Sequence, residues 1–176
     1  MKIYFYYDLS LNLIYSSNLI MRGAIIGLGH GQRVIAKAFQ IEKIKLIGVY
    51  SKNIKKAHKY SKENNLKKFY YSLDDLIKDQ DIDLVAIAIP AYFQIEIIKK
   101  CIKHNKKIFC EKPMTIEYDE LKKIYSRIKK LNNKLIVDYI FQKHEAFKKF
   151  KNNLPKTINK NSIININFTT ESFINK

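Results

Sequence analysis

From residue 21 onward, short apolar runs alternate with longer segments in which apolar residues recur every three or four positions. The short runs lack polar alternation, as in residues 83–89 (DLVAIAI), which is typical of strands covered on both faces of a sheet. The longer segments have the period of amphipathic helices. Strands are predicted at residues 23–28, 44–50, 69–71, 83–89, 107–110 and 135–140. Strand–helix alternation repeated about six times predicts an α/β fold with a doubly wound parallel sheet.

Several helix starts carry local signals. Asn53 and Ser72 are residue types that accept hydrogen bonds from the free backbone N–H groups at a helix N-terminus. Asp74 and Asp75 add negative charge to a first turn, where the helix dipole favours it. Pro90 ends the fourth strand. Helices are predicted at residues 32–40, 53–64, from 72 onward, 91–105, 115–131 and 145–152.

Residues 1–20 do not fit a targeting segment. They are apolar and tyrosine-rich, but Asp8 and Asn12 interrupt them and Lys2 is their only basic residue. A signal peptide has a clearer positive start and a small-residue cleavage site, and a membrane span needs about 20 apolar residues. Neither is predicted, and Met21, directly before the first strand pattern, is an alternative natural start.

The net charge of +17 raises the question of a nucleic-acid partner. The basic residues are nearly all lysines, spread along a chain that is also rich in Ile and Asn, as a biased nucleotide composition would produce. We interpret them as a solvated surface and expect no specific nucleic acid and no metal, because no RNA-binding motif or zinc spacing accompanies them. Cys101 and Cys110 are expected to be reduced core thiols, which fits a cytoplasmic location.

A glycine-rich segment lies where the first strand passes into the first helix. Gly27, Gly29 and Gly31 allow a tight turn and a close approach of backbone to a pyrophosphate, which the following helix N-terminus would attract. His30 and Gln32 belong to the same predicted cofactor-binding turn. The usual pattern has glycine at the position of Gln32, so the packing of the first helix is expected to differ. The alternative is a structural turn without a ligand.

The end of the second strand bears on the choice of cofactor. An acidic residue there favours NAD, because a carboxylate repels a 2′-phosphate. This chain has Ser51 and Lys52 instead, a hydroxyl and a cation. NADP is therefore predicted in preference to NAD.

The sequence Glu-Lys-Pro follows the fifth predicted strand. Ligands of open α/β sheets bind beyond the carboxyl ends of strands, so Lys112 is predicted to stand beside a nicotinamide ring and its substrate. An ammonium group there can orient a hydroxyl and stabilise an alkoxide, or take part in a proton relay. The alternative is a helix-entry turn in which Pro113 holds the preceding residue extended.

Three segments together resemble the Gfo/Idh/MocA oxidoreductases in order and spacing: GAIIGLG at 23–29, IDLVAIAIP at 82–90 and KIFCEKP at 107–113. The resemblance implies a Rossmann domain, bound NAD(P) and reversible oxidation of a sugar or polyol hydroxyl. It makes Lys112 the functional, catalytic lysine. The remaining residues that it places at the cofactor are Ile89, Pro90, Gln94, Glu111 and Pro113.

Two positions depart from the family pattern. Many members carry His where this chain has Gln94, and Arg where it has Gln142. Both departures concern the type of substrate more than cofactor binding. The substrate itself is not predicted beyond a sugar-like small molecule.

Members of this family are about twice as long, with a second α+β domain that builds the substrate pocket. Residues 162–169 alternate Ile and Phe with Asn, as a half-solvated first strand of that domain would. The predicted organisation is an extension at 1–20, an NAD(P)-binding domain at 21–141 and the start of an incomplete substrate domain at 142–176. An orphan strand leaves its edges unpaired, so a homo-oligomer through this sheet is expected. The alternative function is a non-catalytic dinucleotide-binding or interaction module.

Overall fold

A computed structural model describes residues 20–129, 135–138 and 145–153. It divides into two compact units, residues 1–140 and 141–176, and a single helix, α6, is described in the second. The predicted strand at 162–169 and Gln142 lie outside the described residues. The strands are β1 Arg22–Ile26, β2 Lys45–Tyr50, β3 Lys68–Tyr70, β4 Leu84–Ile87, β5 Lys107–Glu111 and β6 Leu135–Asp138. The helices are α1 Ala36–Ile41, α2 Ile54–Glu63, α3 Leu73–Lys78, α4 Ala91–Lys103, α5 Tyr118–Lys129 and α6 Glu145–Asn153.

All six strands run parallel in one sheet with the order β3-β2-β1-β4-β5-β6. The chain builds outward from β1 in one direction through β2 and β3, and in the other through β4, β5 and β6. Ligands of such sheets bind beyond the carboxyl ends of the strands where this reversal occurs. The predicted doubly wound parallel sheet is confirmed, and it places the candidate site beyond the ends of β1 and β4.

The two central strands are apolar on both sides because helices cover both faces of the sheet. Ile26 and Ile87 belong to one buried cluster, whereas Ile25 and Ala86 belong to the other. All four are completely shielded from solvent. Burial of each isoleucine side chain contributes about 1.5–3 kcal/mol, so β1 and β4 are anchored firmly. Of the helices described, none has the length and apolar content that a bilayer crossing requires.

Both predicted helix caps are confirmed. The Asn53 side-chain oxygen accepts a hydrogen bond from the backbone N–H of Lys56 at 3.0 Å. The Ser72 hydroxyl oxygen accepts from the backbone N–H groups of Asp74 and Asp75 at 3.1 and 3.3 Å. The α2 cap fixes the start of the helix directly after the turn that ends β2, which is one wall of the candidate site.

Several predicted boundaries are corrected. The fourth strand is Leu84–Ile87 rather than residues 83–89, so it ends before Pro90 is reached. The first strand ends at Ile26 rather than at residue 28, because Gly27 adopts a left-handed φ of +97° that breaks the extended conformation. The fifth helix begins at Tyr118 rather than at Thr115. The Thr115 hydroxyl accepts a hydrogen bond from the Glu117 N–H at 3.0 Å and forms a local turn ahead of the helix.

A charged network holds the amino-terminal end of the sheet, opposite the candidate site. Lys68 Nζ and the Tyr70 hydroxyl each donate to the same carboxylate oxygen of Asp79 at 2.6 Å. The buried ammonium of Lys106 donates to the backbone carbonyls of Asp79 and Ile82. Burial opposes the ionisation of Asp79, but the hydrogen bonds from Lys68 and Tyr70 prevail and lower its pKa to about 2.

Asp79→Asn should therefore lower the free energy of unfolding at neutral pH by about 1–2 kcal/mol. Each unit of pKa shift corresponds to about 1.4 kcal/mol, and solvent screening reduces the energy that such a shift contributes. A carboxyl group with a depressed pKa stabilises the fold above its unfolded-state pKa, and the effect disappears as the pH falls from about 4 towards 2. Urea unfolding across this range should show the wild-type and variant curves converging at low pH. The control is Asp119→Asn, which removes an exposed carboxylate 3.7 Å from Lys122. If stability plotted against pH for Asp79→Asn stays parallel to wild type, the stabilising role of Asp79 is contradicted.

Candidate functional site

The turn after β1 passes directly against the end of β4. The Gly27 N–H donates to the Tyr50 carbonyl at the end of β2 at 2.9 Å. A Cβ at Gly27 would lie 2.3 Å from the Ala88 carbonyl oxygen and 2.8 Å from the Ile89 side chain. Glycine is therefore required here by its left-handed conformation and by the space available, and the turn draws three strand ends together.

The other two glycines have different roles. A Cβ at Gly29 would meet no described atom within 4 Å, so the backbone faces open space at this point. A Cβ at Gly31 would lie 2.6 Å from the Ile25 side chain. Gly31 thus allows close packing of the helix on β1, the role of the third glycine in the usual fingerprint.

The first helical turn accommodates the early position of this glycine. Residues Gly31–Ile35 form a wide π-helical turn, and the Ala36 N–H bonds to the Gly31 carbonyl five residues back. Regular α-helix follows only from Ala36. The sequence led us to expect altered packing of the first helix, and the alteration is this widened turn.

His30 connects the glycine turn to the Glu-Lys-Pro segment. Its Nε2 lies 2.9 Å from Oε1 of Glu111, and both atoms are shut off from solvent. Burial raises the pKa of Glu111, and Asp138 raises it further, whereas His30 and Lys112 act in the opposite direction. Glu111 and Asp138 lie side by side in the β5–β6 register. The buried carboxylate therefore has one acidic neighbour, with the imidazole in direct contact.

Lys112 follows directly on β5, and its side chain is exposed. The next peptide bond, Lys112–Pro113, is cis. Because it directly follows Glu111, the last residue of β5, the exposed Lys112 side chain stands at the carboxyl-terminal end of the sheet. This is the edge where the sequence predicted it.

Gln94 is buried, with only 1% of its surface exposed. Its amide nitrogen donates to the Ile89 carbonyl at 2.9 Å and approaches the Pro113 carbonyl at 3.4 Å. Its amide oxygen accepts a hydrogen bond from the Cys110 thiol. The amide thus faces the protein and joins the end of β4 to the Glu-Lys-Pro turn. Direct contact between Gln94 and a cofactor remains a prediction.

The two cysteines are free and buried, which confirms the expectation of core thiols. Burial raises the pKa of the Cys101 thiol to about 12 and also raises the pKa of Cys110. Neither is suited to nucleophilic chemistry, which requires a thiolate.

Lys52 reaches across the end of the sheet. Its Nζ lies 4.4 Å from the centre of the Phe93 ring at the start of α4, and the exposed Tyr92 ring stacks edge-on against Phe93 at 5.2 Å. Ser51 instead closes a local turn, accepting a hydrogen bond from the Asn53 N–H at 3.2 Å. Because β1 lies between β2 and β4, the contact between Lys52 and Phe93 spans the switch point of the sheet.

Most residues that the sequence selected meet at this edge: the three glycines, His30, Ser51, Lys52, Ile89, Pro90, Glu111, Lys112 and Pro113. Gln32 differs, because it lines a cavity of about 590 Å³ between the first two helices. The other residues that line this cavity are Arg33, Lys37, Lys56, Lys59, Tyr60, Glu63 and Asn64. Whether Gln32 touches a cofactor remains a prediction.

Sequence reasoning missed three residues at this edge. Tyr92 and Phe93 were included in an amphipathic helix, although two exposed rings directly after Pro90 were a signal that could have been used. Asp138, 8% exposed, ends β6 beside Glu111. Its signal was an acidic residue at the carboxyl end of an apolar strand, the position where β5 also carries its glutamate.

A doubly wound parallel sheet with a glycine turn at its switch point defines the class of dinucleotide-binding domains. Residues 21–139 match the family model described as the oxidoreductase family with an NAD-binding Rossmann fold, GFO_IDH_MocA. The match covers more than half of the chain. The chain belongs to this family.

Individual relatives agree with this assignment. An uncharacterized oxidoreductase of Synechocystis sp. is 31% identical over 120 residues, which are 68% of this chain and 32% of that protein. The trans-1,2-dihydrobenzene-1,2-diol dehydrogenase of Xenopus tropicalis is 24% identical over 87 residues, 49% of this chain and 26% of that protein. The chain therefore spans about a third or less of the length of these two relatives.

Two solved structures share the fold. Scyllo-inositol dehydrogenase from Lactobacillus casei, with bound NAD(H) and scyllo-inositol, superposes with a TM-score of 0.69 at 23% identity, over 76% of this chain and 40% of that one. Myo-inositol 2-dehydrogenase from Lactobacillus plantarum gives a TM-score of 0.68 at 23% identity, with the same coverage of 76% and 40%. At this identity the likeness concerns the fold alone.

The three glycines should respond differently to the same substitution. Gly31→Ala should lower the free energy of unfolding by about 1–3 kcal/mol because its Cβ overlaps the Ile25 side chain. Gly27→Ala should cost at least as much, since it combines overlap with backbone with an unfavourable φ. Gly29→Ala should change stability by less than about 0.5 kcal/mol, and it serves as the matched control. Chemical denaturation measures all three, and equal losses would refute the described turn.

Proposed function

We propose that this chain is the cofactor-binding part of an NADP-preferring oxidoreductase that transfers hydride between the nicotinamide and a sugar- or polyol-type hydroxyl or carbonyl. The observation that carries the proposal is the joint placement of the Gly29 backbone, open to space, and the exposed Lys112 ammonium at one edge of the sheet. Family membership supports hydride-transfer chemistry. The substrate class is supported more weakly, by the names of the inositol dehydrogenases that share the fold.

The residues present fit a dinucleotide. The pyrophosphate would lie over Gly29, where no Cβ intervenes and the first free N–H groups of the helical segment are available to an anion. The adenosine would lie towards the turn after β2, with the exposed rings of Tyr92 and Phe93 on the opposite wall. The nicotinamide would lie towards Ile89 and Lys112.

When bound, the nicotinamide supplies the hydride donor or acceptor. The chain's own contribution is electrostatic and geometric. The Lys112 ammonium would hold the reacting oxygen of the substrate and stabilise the negative charge that develops when the hydroxyl proton leaves. Glu111 and Pro90 would bound the ring side of the site.

The preference for NADP rests on Lys52. No acidic residue occupies residues 50–53 at the end of β2, and the Lys52 ammonium lies over the switch point, held by the Phe93 ring. A cation there attracts the 2′-phosphate, whereas NAD offers only a neutral hydroxyl at the same place. Ser51 adds a hydroxyl group to the same turn.

The non-catalytic module is the second candidate, and it shares the binding step but needs no reacting group. Exposed Lys112 beside the nicotinamide position favours the oxidoreductase. The whole enzyme also requires a substrate pocket, which we assign to residues beyond the nucleotide-binding domain. The free thiols fit a reducing compartment, and we place the reaction in the cytoplasm.

Dinucleotide binding is tested first, by calorimetric titration of the purified chain with NADPH and with NADH. Both dinucleotides should bind, and NADPH should bind more tightly. Gly29→Val should weaken the binding of each by at least about tenfold, or ~1.4 kcal/mol, because the valine side chain would fill the space proposed for the pyrophosphate. Unchanged unfolding of Gly29→Val would show that the loss is local. Absence of binding of either dinucleotide to the folded wild-type chain would end the proposal.

Lys52→Glu tests the cofactor preference separately. It should weaken NADPH binding by at least about tenfold while changing NADH binding much less, because only NADPH carries the repelled 2′-phosphate. Lys67→Glu is the matched control, since Lys67 is exposed but lies before β3, at the opposite end of the sheet. Equal effects of the two substitutions on NADPH would assign the preference to overall charge instead of to Lys52.

A further inference from the structure

The contact between His30 and Glu111 crosses the site. β1 and β5 are not neighbours, because β4 lies between them in the sheet. The 2.9 Å contact between Nε2 and Oε1 therefore bridges the end of β4, from the phosphate-binding turn on one side to the Lys112 turn on the other. Both contacting atoms are fully buried, although the imidazole as a whole keeps 41% of its side-chain surface exposed. Part of the imidazole ring is thus exposed to solvent, while its Nε2 contacts Glu111.

The electrostatics explain why the carboxylate needs this partner. The Glu111 side chain is only 13% exposed, and burial together with neighbouring Asp138 raises its pKa. The charged groups that act on it are His30, Asp138 and Lys112, and the buried Cys110 thiol lies next to it in the chain. Leaving a buried charge without its partner costs far more than an exposed pair would gain. Removal of the imidazole would therefore either protonate Glu111 or turn its side chain out of its place.

Any such movement is transmitted directly to Lys112, since the two residues are adjacent. Lys112, whose side chain is exposed, takes part in none of the ion pairs found among the described residues. Its direction depends on the backbone at the end of β5, which Glu111 anchors from within and Gln94 anchors through Pro113. The imidazole is the element that ties this backbone to the glycine turn.

We propose that His30 is a positioning residue of the dinucleotide site, which holds the Glu111 carboxylate and so fixes the Lys112 turn relative to the phosphate-binding turn. The inference rests on the proposed function and adds a residue to it. The contact requires a charged carboxylate on Glu111, whose pKa is raised by burial and by Asp138. Dinucleotide affinity should therefore decline towards low pH as Glu111 is protonated.

The test is a double-mutant cycle with His30→Gln, Glu111→Gln and the double variant, measured by calorimetric titration with NADP⁺ between about pH 5 and 8.5. Each single variant should weaken binding by about tenfold at neutral pH, and Glu111→Gln should also remove the decline of affinity towards low pH. The double variant should lose less than the product of the two single losses, because either substitution alone already breaks the contact that fixes the Lys112 turn. The isosteric Glu111→Gln keeps the test decisive if His30→Gln does not fold.

His104→Gln is the matched control, because His104 caps the carboxyl end of α4 and precedes the amino-terminal end of β5; this variant should bind NADP⁺ like wild type at every pH. Single variants that bind NADP⁺ as wild type does, or losses that simply multiply in the double variant, would overturn the inference. A wild-type chain that binds no dinucleotide would instead overturn the proposed function. The two failures are therefore distinguishable.

Discussion

The close approach of the glycine turn to the end of β4 is the constraint on which the site depends. At Gly27 the backbone lies against the Ala88 carbonyl, with no room for a side chain, and it also bonds to the end of β2. Because three strand ends converge at one residue, the turns that follow them converge as well. The glycines, His30, Ser51, Lys52, Ile89 and Pro90 lie on these turns, and Lys112 lies on the neighbouring turn after β5.

The fold was predictable because local patterns and tertiary burial agree. The unbroken apolar run at the fourth strand exists because helices cover both faces, and Ile87 and Ala86 are indeed buried in opposite clusters. The caps at Asn53 and Ser72 were predictable because each bonds within its own first turn. The start of α5 was not, since the Thr115 hydroxyl competes for the backbone just ahead of the helix.

The site was predictable only where chain order decides position. The carboxyl ends of parallel strands meet at one edge, so Lys112 and the glycines could be assigned to it from sequence alone. Pairs between distant elements carry no such signal. The contact of His30 with Glu111, the bonds of Gln94 and the stacking of Lys52 on Phe93 each join residues on different elements. These contacts depend on which elements lie close together in the folded chain, and sequence periodicity does not predict that.

Charged side chains have opposite effects at the two ends of the parallel strands. At the amino-terminal ends of the strands, Lys68 and Tyr70 donate hydrogen bonds to Asp79 and lower its pKa, so the carboxylate stabilises the fold. At the carboxyl-terminal ends, burial and Asp138 raise the pKa of Glu111, and the opposing effects of His30 and Lys112 do not outweigh them. A buried acid beside another acid lowers stability, and groups with such perturbed pKa values are typical of functional sites. The sheet can carry this unfavourable pair because the apolar clusters around β1 and β4 and the network at Asp79 stabilise it elsewhere.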